Sequence, residues 1–273
     1  MTADRPARAQ PMEPPYLLSA VISRRGVGVA VTGDAGNTMV EIAAHGRWSP
    51  LLCQHLTATL RLCLAGPSAA IIVDLHDLGD PYGASLPFWV ASAQQARSGS
   101  APVHLAFCLP GAAALSRRLR GVQGSQPSVF TMVPEARRAI AARISRADRI
   151  QARLEPRPAS VKAARDLVTE ACRAWHLPEL RHDTWLVVSE LAANAVQHAR
   201  TDFIITLSRS GTRLHVAVHD CVSRFPRPGE PSPTSPQASL DERGRGLRLV
   251  HTIASAWGAI PTRDGKVVWA TVT

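Results

Sequence analysis

The run Ile71-Ile72-Val73-Asp74-Leu75 constrains the fold of this chain more than any other stretch. It is short, continuous and apolar apart from one acid, the pattern of a strand covered on both faces, as in parallel sheets flanked by helices. Its neighbours supply both. Met39-Val40-Glu41-Ile42 reads as a strand, and Leu52, Leu56, Leu60 and Cys63 then recur at helical spacing up to Gly66-Pro67. A helix from Leu86 to Ala96 ends before Ser98-Gly99-Ser100. Val103 to Phe107 is a further strand, Ala112 to Leu119 a helix, Val129-Phe130 a last strand, and Pro134 opens a long Arg-rich helix. Strands alternating with helices over roughly 110 residues predict a small α/β domain.

Glu155-Pro156-Arg157-Pro158 interrupts that pattern, because each proline removes a donor and restricts its neighbour. The division expected is therefore a disordered or loosely attached segment over 1–36, an α/β domain over 37–145, a linker over 146–158 and a second domain over 159–273. With 273 residues, two domains can each bury a core. In the second, Val161, Ala164, Val168, Ala171 and Trp175 mark one face of a helix stopped by His176-Leu177-Pro178, and another helix runs from about Arg181 to Ala199. Phe203, Ile205, Leu207 and Leu214, Val216, Val218 alternate with other residues on either side of a Ser210-Gly211 turn, the signature of an antiparallel hairpin. Pro226 to Ser239 is a Pro/Ser-rich loop, a helix starts near Gly246, and Val267 to Val272 supplies a final strand.

The formal charge of +10 is carried almost wholly by arginine, with Lys162 and Lys266 the only lysines. No helix-turn-helix pattern, zinc-ligand spacing or aromatic-rich RNA-binding motif accompanies it, so a solvated Arg-biased surface is expected rather than a nucleic-acid site. The five cysteines are scattered among apolar residues without a CxxC pair and read as reduced thiols. No apolar run is long enough to span a bilayer, and Met1 to Pro15 lacks a secretory pattern. A cytoplasmic protein with no membrane partner is expected.

Chemistry concentrates in the second half. In Ser189 to Ala199, Glu190, Asn194 and, a turn later, His198 share roughly one side of a helix, while Leu191, Ala195 and Ala199 form another. A carboxylate that can take a hydroxyl proton, one turn from an amide oxygen that can bind Mg²⁺, suits phosphoryl transfer or ATP hydrolysis. Asp220 follows at a strand end, where its carboxylate can accept from an exocyclic amine. Gly244-Arg245-Gly246-Leu247 then leads into a helix, whose free N–H groups and partial positive charge suit a phosphate.

Taken in this order, residues from about Ala159 to Thr273 resemble the GHKL (Bergerat-fold) ATPases, specifically the anti-sigma factor serine kinases. Glu-Leu-x-x-Asn-Ala-x-x-His-Ala is that group's N-box, met by Glu190 to Ala199. Asp220 matches the adenine-reading aspartate, Gly244 to Leu247 the second glycine box, and Gly265-Lys266-Val267-Val268-Trp269-Ala270 resembles the closing strand. The resemblance implies that ATP and Mg²⁺ are cofactors, that Asn194 binds the Mg²⁺ and that Glu190 is the base towards a serine hydroxyl. It also implies that His198, Asp220, Gly244, Arg245, Gly246 and Leu247 contact the nucleotide, and that residues 224–245 form a lid. Two adenine-pocket positions depart from the pattern: Cys221-Val222-Ser223 stand where a glycine is common, and Val267 where threonine is. The helix from Ala159 to Trp175 holds no histidine, which argues against a histidine kinase.

From about Met39 to Ala142, the order of elements and Ile71 to Leu75 resemble a STAS domain, the fold of anti-sigma factor antagonists. Positions 82–85, Tyr-Gly-Ala-Ser, correspond to the family's acceptor motif, with Ala84 at the usual phosphate acceptor and Ser85 beside it. Ser85 reads first as a helix cap. The fold class expected is thus α/β in two domains, STAS-like then a Bergerat α/β sandwich with a mixed sheet. The function implied is a protein serine/threonine kinase that phosphorylates a STAS-type antagonist and controls a sigma factor. The alternative is a non-catalytic module that sequesters a sigma factor or antagonist. Relatives commonly pair, so a homodimer is among the assemblies the resemblance allows.

Overall fold

The computed structural model describes residues 16–18, 21–24, 26–34, 38–98, 102–122, 127–143, 148–225 and 245–273. Two mixed sheets organise them. The first takes β2 (Val21–Arg24), β3 (Val27–Asp34), β4 (Met39–Arg47), β5 (Ala70–Asp74), β7 (His104–Cys108) and β8 (Ser128–Phe130) in that spatial order, with β6 (Leu78–Gly79) pairing with β4. β2, β3 and β4 run antiparallel, and β4, β5, β7 and β8 run parallel. The parallel steps are bridged by α1 (Pro50–Ala65), α2 (Leu86–Ser98) and α3 (Ala114–Arg120), while α4 (Val133–Ala141) follows β8. Ser49 caps α1, accepting from Leu52 N at 3.3 Å, and Pro50 fills the position whose N–H has no partner.

Side-chain alternation divides the first sheet's faces. Val29, Val31, Val40, Ile42, Ile71, Val73, Leu105 and Phe107 point into the core formed with Leu52, Leu56, Trp89 and Leu115 of α1, α2 and α3. Met39, Ala70, Ile72, Ala106 and Cys108 point the other way, against Ala136 and Ile140 of α4. Burial pushes the thiols of Cys63 and Cys108 up to about 12, so both stay unreactive, and no cysteine is paired.

The second sheet runs β1 (Tyr16–Leu17), β12 (Ala256–Pro261), β13 (Lys266–Val272), β11 (Arg213–Asp220), β10 (Phe203–Ser210) and β9 (Arg149–Leu154). The β10–β11 hairpin has the expected register, with Ile205 opposite Val218 and Leu207 opposite Val216. One face is covered by α5 (Ala159–Ala174), α6 (Arg181–Asn194) and α7 (Arg245–Ile253) through Val168, Val188, Leu191, Val250 and their neighbours. From the other face, Ile260, Val267 and Trp269 join the core of the first unit, and Tyr16 stacks on Trp269 at 6.1 Å. The expected two-unit α/β architecture is present, a β/α alternation on one mixed sheet followed by a sandwich on a second. No helix of the described residues is long and apolar enough to cross a membrane.

Three segments differ from expectation. Within 1–36, residues 1–15 lie outside the described residues, but Val21–Arg24 and Val27–Asp34 are strands and Tyr16–Leu17 pairs with Gly258-Ala259. Their glycines serve close approach rather than looseness: a Cβ at Gly28 would run into the His45 ring, and one at Gly258 into the Tyr16 carbonyl. Within 146–158, Arg149–Leu154 is a strand paired with β10, so the prolines mark a strand-to-helix turn inside the second unit. The helix at Pro134 is also shorter than read, ending at Ala141.

Candidate functional site

α6 is built from a buried stripe, Thr184, Val187, Val188, Leu191 and Ala192, that leaves Glu190 and Asn194 half-buried on a second side. Thr184 Oγ1 donates to Leu180 O at 2.6 Å and ties the first turn to the short 3₁₀ turn before it. The α-helix stops at Asn194 and continues as a π turn over Ala195–Ala199, closed by Arg200 N donating to Ala195 O at 3.2 Å. A π turn breaks the i, i+4 stacking of an α-helix. His198 accordingly ends exposed, whereas Glu190 and Asn194 remain half-buried one turn apart.

Glu190 meets the start of α7. A Cβ on Gly246, the second residue of that helix, would collide with the Glu190 carboxylate, so glycine is what lets the two helices approach here. Leu247 is buried beneath this contact and anchors the helix beside α6. Burial pushes the Glu190 carboxyl above its ordinary range. The amide nitrogen of Asn194 is buried with no hydrogen-bond partner. A buried amide that meets nothing in the protein is the kind of group a ligand completes.

Asp220 ends β11, on the sheet side of the π turn. Cys221 N donates to Thr201 Oγ1 at 3.4 Å, so the end of β11 is held just beyond the π turn. The Asp220 carboxylate itself is engaged. Lys266, its register partner on β13, donates to Oδ1 at 2.8 Å and to Val222 O at 2.9 Å, and Val222 N donates to the same Oδ1 at 2.9 Å. Both side chains of the pair are under a tenth exposed. A Cβ at Gly265 would strike the Asp220 carbonyl, so a glycine is required for this approach.

Of the residues expected at a nucleotide site, Glu190, Asn194, Gly246 and Leu247 are thus brought together, Asp220 lies beyond the π turn in an ion pair, and His198 is exposed. Gly244 lies outside the described residues, as does 226–244 of the expected lid, and Arg245 is described only as the first residue of α7. Lys266, absent from the expected site residues, joins it by cross-strand register. Its signal was there to find, since it is one of two lysines in a chain of arginines and precedes the closing strand.

The donor set fits Mg²⁺–ATP at its phosphate end. The orphaned Asn194 Nδ2 is a donor suited to a phosphate oxygen, Oδ1 of the same amide is the atom that could meet Mg²⁺, and the Glu190 carboxylate faces the glycine-led start of α7. At the base end the carboxylate is already shared with a lysine.

Residues 154–272 match the family described as histidine kinase-like ATPase domain. The match runs from the end of β9 through β13 and covers most of the C-terminal unit. No curated protein matches the chain. Among solved structures, the chain is similar to the crystal structure of an anti-sigma factor antagonist from Mycobacterium paratuberculosis. The identity is 16% and the TM-score 0.33 over 47% of this chain and 98% of that one, a likeness too slight to bear on fold or function.

Proposed function

We propose that the chain is an ATP-dependent protein serine/threonine kinase of the anti-sigma type, which phosphorylates a STAS-type antagonist and so sets the availability of a sigma factor. The observation that carries this reading is the contact between Glu190 and the glycine start of α7, one helical turn from an unpartnered Asn194 amide. When bound, Mg²⁺–ATP would supply the phosphoryl group, with the Asn194 carboxamide as metal ligand and the α7 N–H groups facing the phosphates. Glu190 accepts the proton of the attacking serine hydroxyl, and its half-buried setting makes it a stronger base than a solvated carboxylate. Leu247 holds α7 in place, and Asp220 orients the base from the sheet.

The N-terminal unit acts as an antagonist-like module that is not itself a phosphate acceptor. Ser85 is fully buried: it donates to Asp80 Oδ2 at 2.6 Å and accepts from Trp89 Nε1 at 2.9 Å. The neighbouring Ala84, exposed, has no hydroxyl. Asp80 rather than Ser85 caps the loop, accepting from Ala84 N at 2.8 Å and Ser85 N at 2.9 Å.

Labelled ATP with STAS-type proteins encoded nearby tests the kinase reading. Glu190→Gln should abolish label transfer while ATP still binds, and Asn194→Ala should remove Mg²⁺-dependent binding. Equal transfer by wild type and Glu190→Gln would refute the role of Glu190. The Asp220–Lys266 pair favours the second reading, a module that sequesters its partner without chemistry. Calorimetric silence towards Mg²⁺–ATP, with the partner still bound, would select it.

A further inference from the structure

The second face of the first sheet is only partly lidded. α4 is nine residues long and covers β5 and β7, whereas the corresponding face of β3 and β4 carries Ala30, Thr32, Glu41 and Ala43 with no helix of the described residues over them. A cavity of about 460 Å³ occupies that space, and the turn between β12 and β13 contributes Arg263 to its wall. This is the size class of small-molecule sites.

The charged groups around it are half-used. Arg137 donates through Nε at 2.7 Å and through Nη2, both to Glu41 Oε1, which leaves Glu41 Oε2 and Arg137 Nη1 without a partner among the described residues. Asp74 accepts from His76 N at 3.1 Å and meets His76 Nδ1 at 2.6 Å, both on Oδ1, which leaves Oδ2. Arg263 is exposed and makes no hydrogen bond or ion pair among the described residues. Two carboxylates and two guanidiniums thus line one small space, each with capacity to spare, over a floor of alanine and threonine. Net charge near zero with both signs unsatisfied selects a ligand that carries both.

We propose that this cavity binds a small zwitterion of the α-amino-acid class, with its ammonium on Asp74 Oδ2 and Glu41 Oε2 and its carboxylate on Arg263 and Arg137 Nη1. The pose seats the ligand on the N-terminal sheet and α4 and joins its carboxylate to Arg263 of the β12–β13 turn, so occupancy bridges the two units. This site is separate from Glu190 and Asn194, and its occupancy is independent of whether the chain is a kinase.

Isothermal titration of the full chain with the standard amino acids, and with acetate and methylammonium as single-charge halves, tests it. Saturable binding of one or more amino acids is expected, with neither half binding comparably. Arg263→Gln and Asp74→Asn should each weaken it by about tenfold or more, the effect of losing one charge-assisted hydrogen bond. Arg263 lies on an exposed turn, so Arg263→Gln keeps the fold, and an unchanged melting midpoint verifies this for both variants. Silence with every amino acid, affinity untouched by both substitutions, or acetate binding as tightly as any amino acid would each overturn the proposal.

Discussion

Gly246→Ala separates the chemistry of this chain from its stability. Gly246 is the second residue of α7, and an added Cβ there meets the Glu190 carboxylate. Two terms oppose one another. Alanine in place of glycine favours a helix by up to about 1 kcal/mol. Moving the carboxylate aside forces Glu190 from its rotamer at about 0.5–1.5 kcal/mol. The collision is with the far end of a flexible side chain rather than with backbone, so the helices need not part. The net change in folding should therefore stay within about 1 kcal/mol, which for a chain of this size is a shift of a few degrees in the melting midpoint.

In the proposed mechanism the catalytic consequence is much larger. A displaced Glu190 no longer lies beside the phosphate end of the site, and general-base assistance is worth about 10²–10⁴-fold. Gly246→Ala should thus lose label transfer by that order while melting within a few degrees of wild type. Differential scanning fluorimetry and transfer from labelled ATP to an antagonist protein give both quantities. Glu190→Gln is the control, because it removes the base without the added methyl. Full activity in Gly246→Ala would refute the placement of the base, and full activity in both variants would remove Glu190 from the mechanism altogether.

Asp220→Ala strands a buried lysine and should destabilise the fold by about 3–5 kcal/mol, whereas Asp220→Ala with Lys266→Met should recover most of that loss. Denaturant midpoints of the two variants decide the matter; equal loss in both would mean that the pair is not coupled. His215, half-buried with its Nδ1 2.7 Å from Thr271 Oγ1, is held by desolvation, and secondarily by Arg213, down to about 4. The unfolded chain takes up this proton near pH 6.5 and the folded chain does not, so stability is full above about pH 6.5 and falls as pH drops towards 4. The loss attributable to this side chain approaches about 3 kcal/mol. His215→Gln should flatten that part of the pH–stability curve, and an unchanged curve would contradict it.

Long periodic elements were legible in the sequence because packing and propensity agreed. Ile71 to Leu75 became β5, covered on both faces, and the Val161 to Trp175 stripe became the buried side of α5. The segments misread had carried a local signal that tertiary contact overruled. β9, Arg149-Ile150-Gln151-Ala152-Arg153-Leu154, has a period-two pattern, but it was hidden by the arginine density shared with the preceding helix. β12 contains Gly258 and ends in Pro261, residue types that weaken a strand signal. The glycine gives room for the Tyr16 backbone, and the proline ends the strand where a turn begins. β3 was missed for the same reason, since Gly28 makes room for His45 on the neighbouring strand.

The site divides along the same line. Helical spacing placed Glu190 and Asn194 one turn apart, because that relation lies within a single element. It could not reveal that Gly246 abuts Glu190, which depends on how two helices fifty-odd residues apart settle on one sheet. Nor could it pair Asp220 with Lys266, which needs the register of β11 against β13. Every relation missed is therefore one between elements. The two that matter most, a glycine against a carboxylate and a lysine against an aspartate, lie at opposite ends of the expected nucleotide. In the proposed mechanism, reaction at the phosphate end and recognition at the base end would be set by different contacts, so a substitution should alter one while leaving the other intact.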